Sequence, residues 1–135
     1  MYIEPTQTAA AAFFSAPPPG PVVMLNLLRF RELADYGAHP ELAPDAPITG
    51  AAAYQRYVEH TAPFLLEVGG RLLYDGDGGP LLIGPERARW DRVLLVEHRS
   101  AAVFLSFATN QGYLAGMGHR VAALADSRLL PTIRR

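Results

Sequence analysis

"VVMLNLLRF", residues 22–30, is the stretch on which the fold turns. It is β-branched at its start and apolar at both parities. A segment of this kind reads as a strand covered on both faces, since side chains alternate across a strand. Four prolines and a glycine precede it and a long loop follows, which favours strand over a buried helical segment. The central strand is accordingly placed at 21–31. Asn26 interrupts the hydrocarbon, and a buried amide left without partners costs about 1–3 kcal/mol. Asn26 shares a parity with Met24 and Leu28, while Leu25, Leu27 and Arg29 take the other.

Outward from this strand, "PTQTAAAAFFSA" (5–16) is a helix capped by Thr6 or Thr8 and stopped by "PPPGP". Residues 1–19 form a helical extension that does not read as a secretory leader, because Glu4 stands where such a leader is basic. Residues 32–49 carry three prolines and no sustained period, the pattern of a long Pro-rich loop. "GAAAYQRYVEHTAPFLLEVGG" (50–70) places Tyr54, Tyr57, Val58, Thr61, Phe64, Leu65 and Val68 at helical spacing. The stretch 71–85 suggests two short extended pieces around a "DGDGG" turn. "RWDRVLLVEHR" (89–99) is a strand, Ser100 caps a helix over 101–109, a second helical stretch covers 111–126, and a short edge strand closes the chain at 127–135.

One arrangement satisfies this order: a four-stranded, mainly antiparallel sheet with helices on one face, the α+β ferredoxin-like split βαβ fold, as a single domain over 1–135. Helices on one face leave the other bare, and pairing of two sheets in a homodimer is the simplest cover. In this placement strand 91–98 runs parallel to 21–31 and strand 127–133 antiparallel to it.

Particular segments also carry a family resemblance. "PVVMLNLLRFRE", "GGRLLYDG", "RWDRVLLVEHRS" and "GYLAGMGHRVAALADSRLL", in that order over about residues 20–131, resemble the bacterial domain-of-unknown-function family thirteen-thirty, of the dimeric α+β-barrel superfamily. The resemblance implies the fold and the dimer but no settled activity. Related barrels range from cofactor-free monooxygenases to isomerases and haem-degrading enzymes, so fold alone does not deliver function.

Composition narrows the function classes. The chain has 135 residues, a formal charge of −1 and no cysteine. Disulfides, thiolate metal sites and cysteine nucleophiles are therefore excluded, and nothing electrostatic favours nucleic acid. No apolar run approaches the roughly 18 residues of a membrane span, and the expected location is the cytoplasm. The four histidines lack metal-type spacing, so neither a metal nor another cofactor is expected.

The candidate site follows from the placement of the strands. Arg29, Glu97, His98, Asp126 and Arg128 would gather at one sheet edge, where they could bind a carboxylate or form structural ion pairs. His119, in "GMGHR", is the candidate general acid or base, because an imidazole titrates near neutrality. Asn26, Arg29, Arg120, Glu97, Arg128, Tyr57 and Trp90 are the candidate ligand contacts. The expected function is binding of an unidentified small molecule by a homodimer, with cofactor-free oxygenase or isomerase chemistry on an anionic or carbonyl-bearing ligand. The competing reading is a non-catalytic interaction module whose polar cluster is structural. A void shared by Asn26 and His119 would favour the first.

Overall fold

The structure is a computed structural model that describes residues 1–135. Its elements run α1 (Gln7–Ser15), β1 (Val22–Phe30), a single 3-10 turn (Pro40–Leu42), α2 (Gly50–Glu67), β2 (Arg71–Pro80), β3 (Arg89–His98), α3 (Ala101–Ala108), α4 (Gln111–Leu114), α5 (Met117–Ala123) and β4 (Leu124–Thr132). The sheet order is β2-β3-β1-β4, and every neighbouring pair is antiparallel. This is the α+β, ferredoxin-like architecture expected from the sequence, with β1 central and β4, which carries Pro131, at an edge.

Three local expectations are corrected. First, β3 runs antiparallel to β1, with Val22 opposite His98 and Leu28 opposite Arg92. The α2 crossover returns β2 parallel to β1, and the β2–β3 hairpin then reverses the direction again. Second, "DGDGG" is not a turn but part of β2, which pairs with β3 as far as Pro80 opposite Arg89. The reversal falls within residues 81–88 instead. Gly78 is required within the strand because the Trp90 backbone carbonyl occupies the space its Cβ would fill, while the Tyr74 ring end lies over Gly76. Third, the helix expected over 111–126 is two short helices that meet at Gly116 and end by Ala123, so Asp126 lies in β4. A Cβ at Gly116 would collide with His60, and one at Gly118 with His39 and Leu42. These glycines permit close helix packing.

The caps are simple. Thr6, Thr49 and Ser100 each accept a backbone N–H in the first turn of α1, α2 and α3. Register fixes which residues share a face. Met24, Asn26 and Leu28 of β1 stand beside Val96, Leu94 and Arg92 of β3, on the side covered by helices. There Leu28 and Leu94 join Ala53 and Tyr54 of α2, Ala122 and Ala123 of α5, and Leu124 in one core. The Met24–Asn26–Leu28 face is therefore the helix side.

The opposite face carries Leu25, Leu27, Tyr74, Val93, Leu95 and Leu130, none of which belongs to that core. Tyr74 and Leu130 are more than half exposed. No helix is long and apolar enough to cross a membrane.

Candidate functional site

The antiparallel β3 splits the expected charge cluster between two rims. At the end of β1, Asp126 accepts from the backbone N–H of Tyr2 at 2.8 Å and of Ser127 at 2.9 Å, and from Arg128 Nη1 at 2.8 Å. Arg29 Nη2 stands 4.0 Å away. Burial would raise the Asp126 carboxyl, but these hydrogen bonds and the Arg128 charge hold it below the usual carboxylate range. The Arg128 guanidinium lies over the rings of Tyr2, at 4.9 Å, and Trp90, at 5.1 Å. This rim fastens the N-terminal segment to β4.

At the other rim, Glu97 is held by Arg71 at 2.7 Å and Arg134 at 3.4 Å. Beside it, His98 is enclosed by Phe104 and Phe107. Burial depresses His98 to about 4, and its Nδ1 has no partner. Thus Arg29, Asp126 and Arg128 meet, whereas Glu97 and His98 do not join them.

Neither Asn26 nor His119 lines either of the two pockets described below. The Asn26 amide donates to the Met24 carbonyl of its own strand at 3.3 Å. Arg120 donates to the Ile3 carbonyl and to Ser127 Oγ at 3.4 Å, which again ties down the N-terminal segment. Tyr57 stacks on Tyr54, and its hydroxyl lies 2.7 Å from that of Tyr113. Burial and the neighbouring phenols raise the hydroxyls of Tyr54 and Tyr113 well above the ordinary phenol range.

His119 has a different partner. Its Nδ1 lies 2.8 Å from the hydroxyl of Tyr36, with the two rings edge to face. Burial, then the charge of Arg56 and the neighbouring His60, lower the proton affinity of His119, so the imidazole is neutral at pH 7. Burial raises the Tyr36 phenol. Tyr36 stands in the Pro-rich loop, which is tied down by a Leu33–Thr49 bridge and by backbone bonds from Ala34 to Ile48 and from Asp35 to Ala122. With Ala34 and residues 43–48, Tyr36 lines a mostly apolar pocket of about 320 Å³. Sequence reasoning missed Tyr36; the only signal was a lone tyrosine in the Pro-rich loop over 32–49.

A second concavity, of about 310 Å³, lies between α2 and the β2–β3 ribbon, lined by Phe30, Gln55, Asp75, Asp77 and Arg92 among others. Arg92 grips Asp75 with Nε at 2.8 Å and Nη2 at 2.7 Å, and its guanidinium lies over the Tyr54 ring. That bidentate bond holds the Asp75 carboxyl below its usual range. No group of three or more His, Asp or Glu side chains is placed to hold a metal ion.

The sequence matches no family model, and no curated protein matches it. Among solved structures, the methylated RPA0582 protein is similar to this chain, with 34% identity over 99% of this chain and 95% of the other, and a TM-score of 0.88. A second structure of RPA0582, from Rhodopseudomonas palustris and described as a protein of unknown function, gives 34% identity, 97% and 95% coverage, and a TM-score of 0.86. A dimeric protein of unknown function with a ferredoxin-like fold, from Bacteroides fragilis, is 12% identical over 83% of this chain and 94% of that one, at a TM-score of 0.50. That last likeness concerns the fold alone.

Proposed function

This chain belongs to the family of the Rhodopseudomonas palustris RPA0582 protein, and from that premise we propose that it is a homodimer that binds a small carbonyl-bearing molecule and moves a proton on it. The observation that carries this reading is the 2.8 Å contact between His119 and Tyr36 beside a mostly apolar pocket. Pockets of a few hundred Å³ with few polar groups are the usual form of small-molecule sites. With Nδ1–H donating to the Tyr36 hydroxyl, Nε2 keeps its lone pair, and the neutral ring can take a proton there and return it. A 1,3 proton shift next to a carbonyl needs no cofactor: the proton leaves one carbon and returns to another. Cofactor-free oxygenation would start from the same carbanion, with dioxygen as co-reactant.

The dimer is supported by the uncovered Leu25–Leu27–Leu95–Leu130 face and by the dimeric B. fragilis protein of the same fold. Sedimentation at micromolar concentration should report about twice the chain mass, as expected of a hydrophobic interface. Leu27→Glu should yield the monomer, and a wild-type monomer would refute the assembly.

A non-catalytic module is the competing reading, favoured by the engagement of Arg120, Asp126 and Arg128 in fastening the N-terminal segment. The two separate in deuterium oxide. Wild-type protein should accelerate α-proton exchange of 2-oxobutyrate or levulinate, and His119→Gln should lower that rate about 100-fold. Equal rates for the two proteins leave the module reading in place.

A further inference from the structure

We propose that the concavity between α2 and the β2–β3 ribbon is a second binding site, specific for a small organic ammonium ion with an apolar body. It lies apart from the pocket lined by Tyr36 and shares no lining residue with it.

The sequence of β2 motivates the assignment. Asp and Gly are poor strand formers, so "DGDGG" in a paired strand calls for a reason at each position. Gly76 makes room for the Tyr74 ring, and Asp75 answers Arg92. Asp77 stands opposite Arg92, on the same face as Asp75, and lines the cleft; its charge acts on Arg92 through space, but it enters no ion pair.

The charges then select the ligand. Arg92 spends Nε and Nη2 on Asp75, and its Nη1 lies 3.4 Å from Gln55 Oε1. An anion would have to displace Asp75, whose bidentate bond is of the strongest class in proteins. With Asp75 and Arg92 cancelling, Asp77 leaves the cleft one negative charge, and a concave wall focuses that charge on a bound cation.

The remaining surface suits an apolar body. Phe30 and Ala51 are the hydrophobic part of the lining. Behind them Tyr54, 2% exposed, packs its ring against both Phe30, at 5.5 Å, and the Arg92 guanidinium, at 5.6 Å, so both walls are preformed.

Three probes of one shape test the site on the full chain: benzylammonium, benzoate and benzyl alcohol, titrated by amide NMR. Benzylammonium should give saturable shifts at Ala51, Gln55, Asp77 and Arg92, with a dissociation constant of about 5 mM or tighter. Asp77→Asn should weaken it at least about tenfold, the loss expected of a charge-assisted contact. Asp45→Asn, in the other pocket, should leave it unchanged. Benzoate binding as well as benzylammonium, no saturable shift, or equal affinity in Asp77→Asn would each overturn the proposal. These readouts are independent of proton exchange, so failure here leaves the Tyr36–His119 reading standing.

Discussion

His98 and His119 occupy two kinds of environment within one small domain, and the contrast separates fold from chemistry. Both lose proton affinity on burial. His98 is 2% exposed at the end of β3, caged by Phe104 and Phe107, with an unpartnered Nδ1. No ligand could reach it without opening α3. His119 is only partly buried on α5, and its Nδ1 meets a hydroxyl whose ring lines a pocket. A histidine that is only desolvated reports on stability. One that is partly buried and bonded to a pocket-lining hydroxyl is the better candidate for proton transfer.

The largest effect on stability should come from His98. In the unfolded chain its imidazole titrates near 6.5, and in the folded chain near about 4. Between those values the unfolded state binds more protons, so stability rises with pH across the window and is lost as pH falls through it. On this basis the protein should lose about 2 kcal/mol between pH 8 and pH 5 from His98 alone. Denaturant titrations at the two pH values measure it. In His98→Leu most of the difference should vanish, whereas His119→Gln should retain it. A wild-type stability flat from pH 8 to pH 5 would erase the distinction between the two rings.

The contrast also marks how far the sequence could be read. The central strand, the helices flanking it and the bare second face follow from periodicity, because burial on one or both faces leaves its period in the residues. Strand direction does not leave such a trace, so the sequence pattern places Glu97 and His98 beside Arg29, whereas they lie at the far rim. "DGDGG" looked like a turn because Gly and Asp favour turns; tertiary contacts with Tyr74 and Arg92 hold it in a strand instead. His119 was legible as a titratable group among glycines. Its partner was not, since Tyr36 is brought to it by a loop without period, anchored through the Leu33–Thr49 bridge.

Tyr36→Phe should produce the smaller and more diagnostic effect. The substitution keeps the ring, and with it the edge-to-face contact on His119 and the wall of the pocket. It removes one partly buried hydrogen bond, for which about 1 kcal/mol of stability is the ordinary loss. A purely structural pair would show that loss and nothing more. In a proton-transfer pair the phenol also fixes which ring nitrogen carries the proton, so its removal should change the imidazole nitrogen shifts of His119 while leaving those of His98 in place. Proton exchange should fall with it, and by more than the stability loss accounts for, because the protein remains folded under the assay conditions. If Tyr36→Phe lowers stability by about 1 kcal/mol yet leaves both the His119 nitrogen shifts and the exchange rate unchanged, the hydroxyl only anchors the loop and His119 belongs with His98.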